Sequence, residues 1–164
     1  MSKGNEDGFK GKLKTWLAGA EKVAVVGVGN AMRKDDAVGV EIVKILRKRV
    51  SSRISLIEAE TMPENYIEQI IDFCPSHVLI IDSGLIGEKP GKVKFLALTE
   101  TSKTAISTHM LPLQVFCAYI EKAINAKILL LVIQPKDTGM GEDLTKELKE
   151  TAGKIADFLV KILP

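Results

Sequence analysis

Residues 22–49 read KVAVVGVGNAMRKDDAVGVEIVKILRKR, and this stretch decides the fold. Residues 22–29 form a near-continuous apolar run closed by glycine, the pattern of a strand buried on both faces. Residues 36–49 carry Val40, Val43, Ile45 and Leu46 among charges, which predicts an amphipathic helix. A buried strand that passes through a glycine-bearing loop into a helix is the opening unit of an open α/β sheet. The theme repeats outward. Strands are predicted at 53–59 (RISLIEA), 77–82 (HVLIID), 92–98 (KVKFLAL) and 127–133 (KILLLVI). Helices are predicted at 9–17, 63–73 (with Pro63 at its first position), 112–124 and 144–163. The order α-β-α-β-α-β-β-α-β-α predicts a three-layer α/β/α sandwich. Its twisted, mostly parallel five-stranded sheet forms a single domain over 1–164.

Composition narrows the chemistry. The 164 residues suit one domain, and 46% hydrophobic with 27% charged residues excludes disorder. A net charge of +2 gives no basis for a nucleic-acid partner or a membrane surface. No stretch approaches the ~20 apolar residues of a membrane span, so no membrane insertion is expected. The first 22 residues are charged throughout and lack the apolar core of a signal peptide. Cys74 and Cys117 have neither CxxC spacing nor the density of a disulfide framework. Both stand in apolar contexts (IIDFCPS, LQVFCAYI) and are expected to be buried thiols. A cytoplasmic monomer is the expectation.

Ligands of open α/β sheets bind beyond the carboxyl ends of the strands, where strand order reverses. The loops at 28–36, 58–63, 82–87 and 134–141 are therefore the places to look. The first loop does not complete a dinucleotide fingerprint, because Met32 stands where GxGxxG needs its last glycine. Gly27 and Gly29 then read as residues for a tight turn and close packing. Asp35 and Asp36 begin a helix; one can cap it while the other points into the crevice. Asp82 closes a buried strand and is followed by Ser83-Gly84, a placement packing explains poorly. The chain has two histidines: His77 at the far end of that strand, expected at the surface, and His109 in STHMLPL before a helix. Two carboxylates and one imidazole converging on a crevice make a divalent site acceptable to zinc or nickel. Three protein ligands leave positions open for water or substrate.

GVGNAMRKDDAVGV, PENYIEQI, VLIIDS, STHMLPL and VIQP, in this order, resemble the nickel–iron hydrogenase maturation proteases. The likeness is nearest to the subgroup serving membrane-bound, formate-hydrogenlyase-type hydrogenases. It implies an endopeptidase that removes a short C-terminal extension from the hydrogenase large-subunit precursor after nickel insertion. It also implies a metal site of Asp36, Asp82 and His109, the same three residues serving as the catalytic set. The nickel would be carried by the substrate, with no metal held by the isolated protein. The family has an Asp-Gly-Gly-Thr-like turn after the second strand that helps select substrate. Here it reads Glu58-Ala59-Glu60-Thr61, which makes Glu58, Glu60 and Thr61 the substrate-binding candidates. Ala37 likewise replaces a common glycine. Bond cleavage by a metal-polarised carbonyl with metal-bound water, or by Asp36 or Asp82 as general base, both fit this set. Two other readings share these residues. One is a nickel-checking chaperone that docks the precursor without cutting; the other is a nucleotide-binding α/β enzyme using the 28–34 loop.

Overall fold

The computed structural model describes residues 3–96 and 110–164. Five strands form one sheet: β1 (Val23–Val28), β2 (Ile54–Glu60), β3 (His77–Ser83), β4 (Val93–Leu96) and β5 (Lys127–Ile133). Their spatial order is β2-β1-β3-β5-β4. The β1–β2, β1–β3 and β3–β5 pairs are parallel, and β4 joins the β5 edge antiparallel. The helices are α1 (Lys3–Trp16), α2 (Val38–Leu46), α3 (Ile67–Phe73), α4 (Met110–Ile124) and α5 (Lys146–Ile162). Among the described residues no helix is long and apolar enough to cross a membrane.

Both faces of the sheet are covered, so its central strands read as apolar runs. Val23, Val25, Leu79, Ile81, Leu131 and Ile133 turn to the core shared with Leu13 of α1, Ile42 and Leu46 of α2, and Ile155 and Leu159 of α5. The alternate residues, including Ala24, Val26, Val78, Ile80, Leu130 and Val132, meet Ile70 of α3 and Leu113, Phe116 and Ile120 of α4. This is the expected three-layer sandwich. The chain leaves β1 to reach β2 on one side and later returns to β3 on the other, which opens a crevice beyond the carboxyl ends of β1 and β3.

The glycines of 22–49 act through packing. A Cβ on Gly27 would lie 2.4 Å from the Gly39 carbonyl oxygen, and one on Gly39 would lie 2.1 Å from that of Ile81. Helix α2 therefore rests directly on the backbones of β1 and β3. Gly29 takes φ +142, and a Cβ there would lie 1.8 Å from the Asp36 carbonyl oxygen. The loop after β1 can thus fold tightly enough to carry Asp36 over the sheet edge.

Three local expectations change. The α-helix begins at Val38, and Lys34–Ala37 form a 3-10 turn before it, so neither aspartate is an α-helix N-cap. Cys74 is exposed, because it ends α3 in the left-handed conformation (φ 51) where the chain swings outward; Cys117 is buried as expected. His77 is buried at 3% exposure, because Trp16 at the end of α1 packs edge-on against its ring at 4.9 Å. A strand's first residue looks exposed in sequence, but here α1 covers it.

His77 sets a pH response. Its Nδ1 lies 2.9 Å from Ser76 Oγ, and its buried Nε2 has no hydrogen-bond partner among the described residues. Burial, and secondarily the charge of Lys127 beside it on β5, hold its pKa below the ordinary 6.5. As pH falls through 6.5 the unfolded chain takes up this proton before the folded one does, so stability falls. Calorimetry from pH 7 downward should show that slope, and His77→Phe should flatten it. Equal slopes in the two proteins would contradict the assignment.

Candidate active site

The turn after β1 and the carboxyl end of β3 bring two buried carboxylates to one edge. Asp36 is 3% exposed and Asp82 fully buried. They meet through Ser83, whose Oγ donates to Asp36 Oδ1 at 3.0 Å while its backbone N–H donates to Asp82 Oδ1 at 2.8 Å. The second Asp36 oxygen, Oδ2, accepts from the Asn30 N–H at 2.8 Å. Each carboxylate oxygen has two acceptor sites, so Asp36 keeps capacity for a further ligand. Beside it opens a cavity of about 80 Å³ lined by Arg33, Asp36, Ser83, Gly84, Leu85, Pro135 and Thr138. Arg33 is fixed over this cavity by its Nε, which donates to the Thr138 carbonyl at 3.2 Å.

Asp35 has the opposite task. Its two oxygens accept from the backbone N–H groups of Lys136, Asp137 and Thr145 at 2.7–3.0 Å, and from Thr145 Oγ1. It pins the loop between β5 and α5 against the 3-10 turn. Lys34 Nζ adds an ion pair to Asp137 at 2.6 Å, which together with the Gly139 N–H holds the Asp137 carboxyl below the usual range. Of the adjacent acids, one fastens the loop and the other faces the cavity. Asn30 and Ser83 escape a reading of the sequence by residue type, and for Asp35 the sequence offers a cap and not this clamp. Ser83 is the nearest to being visible, since it completes VLIIDS.

The turn after β2 is built differently from a glycine pair. The β1–β2 register slips between Gly27 and Val28, leaving Ala59 as the extra residue of a bulge. Glu60 then takes φ +52, a left-handed conformation that costs about 1 kcal/mol or more without glycine. Its carbonyl accepts from the Gly29 N–H at 2.7 Å, which holds Glu60 and Thr61 at the same sheet edge as Asp36. Glu58 turns to an ion pair with Arg47 at the end of α2. His109 lies outside the described residues. Among the described residues no three histidine, cysteine or carboxylate side chains gather around a common point.

The hydrogenase maturation protease model, HycI, matches residues 40–162. The chain belongs to this family. A Methanocaldococcus jannaschii protein provisionally named a hydrogenase maturation protease is 33% identical over 155 residues, covering 90% of this chain and 91% of its own. The crystal structure of the [NiFe] hydrogenase maturation protease HycI from Thermococcus kodakarensis is similar with a TM-score of 0.86 and 31% identity, over 93% of this chain and 98% of that one. The hydrogenase 3 maturation protease of Escherichia coli is 26% identical over 75% of this chain and 79% of its own.

As a hydrogenase maturation protease the chain is a peptidase, and its thiols stand apart from the carboxylate pair. Burial pushes the Cys117 thiol up to about 12, which leaves it protonated and inert at neutral pH. Cys74 sits just before β3, at the sheet edge opposite Asp82. In the native protein a thiol reagent should label one cysteine quickly and the second only after denaturation. Peptidase activity should survive the first labelling. Inactivation in step with labelling of Cys74 would place a thiol in the reaction.

Proposed function

We propose that this protease removes the C-terminal extension of a nickel–iron hydrogenase large-subunit precursor after nickel insertion, acting as a cytoplasmic monomer. The nickel belongs to the substrate. Asp36, Asp82 and His109 share or sense it through open coordination positions, and the ion so held places the scissile bond in the crevice. Glu60 and Thr61, beside the Gly29 turn, select the chain that enters, and Glu58 supports them from its pair with Arg47. The observation that carries this reading is the meeting of Asp36, from the turn after β1, and Asp82, from the end of β3, on Ser83, which lines one cavity with Asp36. Buried carboxylates are costly unless paired, hydrogen-bonded or given a cation; each Asp36 oxygen accepts one hydrogen bond and keeps a second acceptor site beside the cavity for an incoming ion.

Water attack on the peptide carbonyl needs a base and a polarising charge. The carboxylates supply the base. The substrate's own ion supplies the charge, so cleavage waits for its arrival. Mass spectrometry of the nickel-loaded precursor before and after incubation should show a shortened C-terminus. Asp82→Asn and His109→Ala should leave it full length, and full processing by both variants would overturn the site. An uncut tail with the wild-type protein would leave only docking.

A further inference from the structure

The large apolar side chains that the fold leaves in water are distributed in an ordered way. Methionine is among the residues most often buried. All three methionines with described side chains are nonetheless exposed: Met32 at 49%, Met62 at 50% and Met140 at 77%. Leu85 joins them at 60%. Met32 follows β1, Met62 follows β2, Leu85 follows β3 and Met140 follows β5. Each of the four parallel strands thus places one exposed apolar side chain beyond its carboxyl end, the edge that holds Asp36 and Asp82. Neighbouring loops are tied together. The Gly141 N–H donates to the Met32 carbonyl at 2.9 Å, and the Gly29 N–H donates to that of Glu60 near Met62. Leu85 lines the Asp36 cavity itself. The other exposed large hydrophobics among the described residues, Val115 and Tyr119, lie on α4.

We infer that Met32, Met62, Leu85 and Met140 form an apolar rim that docks an extended, mainly apolar stretch of the precursor beside the bond to be cut. The inference rests on the function proposed above, since any chain that brings a peptide bond to Asp36 must cross this edge. Unbranched thioether side chains repack around a partner, which suits a rim that must grip one chain and then release it. Hydrophobic contacts of this kind act on the bound substrate and the transition state alike, so they appear in KM and not in kcat.

The test uses the full-length protein and the nickel-loaded large-subunit precursor. Met32→Gln, Met62→Gln, Leu85→Gln and Met140→Gln are made singly and together. Because all four side chains are exposed, the melting temperature should barely move. The combined variant should raise KM about 100-fold while kcat changes far less, and each single variant should raise KM several-fold. In an Asp36→Asn background the same four changes should weaken precursor binding in parallel. Tyr119→Gln is the exposed apolar control and should leave KM unchanged. An unaltered KM in the combined variant, or an equal rise from Tyr119→Gln, overturns the rim while leaving the proposed function intact. A concentration-dependent dimer that the four changes abolish would assign the edge to a second copy and overturn it as well. If the wild-type protein itself neither binds nor cuts the precursor, the parent function fails and the rim with it.

Discussion

Asp36→Asn should reduce precursor processing by roughly 10²–10³-fold or more, the scale of losing a group that acts on the reacting atoms. The fold should tolerate the change. Asp36 Oδ2 faces a backbone N–H, that of Asn30, and Oδ1 faces the Ser83 hydroxyl. The new amide can keep its oxygen on Asn30 and donate its NH₂ to Ser83 Oγ, because a hydroxyl serves as donor or acceptor. The lost charge is then the main difference. The melting temperature should stay within a few degrees of wild type, since 1 kcal/mol moves it ~2–4 °C at this size. Wild-type processing by the variant would remove Asp36 from the site.

Asp35→Ala should do the reverse, with its main effect on stability. It strips the acceptor from three backbone N–H groups and the Thr145 hydroxyl in one step. At ~1–3 kcal/mol for each buried donor left unpaired, and with water reaching some of them, the loss should be about 3–5 kcal/mol. The melting temperature should drop by about 10 °C. Asp35→Asn should also be damaging, because both Asp35 oxygens face backbone donors and an amide must turn its NH₂ toward one of them. A calorimetric loss under ~1 kcal/mol for Asp35→Ala would contradict the clamp. The two neighbouring acids should therefore separate: one variant folds well and does not cut, the other unfolds early.

That division was not legible in the sequence. Asp35 and Asp36 are alike in type and context, and what separates them is a loop about 100 residues further along the chain. Resemblance picked out Asp36; spacing alone left the pair open. The fold was easier to read because strands buried on both faces leave apolar runs, and residues 23–28, 77–83 and 127–133 are such runs. His77 misled for the same nonlocal reason as Asp35, since Trp16 covers it from a helix 61 positions earlier. Cys74 misled because its neighbours are apolar while its own backbone turns left-handed at the end of α3. The bulge at Ala59 and the positive φ of Glu60 leave no residue signature when glutamate occupies the place of glycine.

The claim that the carboxylate pair reads an ion brought by the substrate is tested most directly by one comparison. The same precursor, nickel-loaded and nickel-free, is incubated with the wild-type protease and its mass is measured. The loaded precursor should lose its C-terminal extension, and the nickel-free precursor should keep its full mass. Equal cleavage of both would contradict the account.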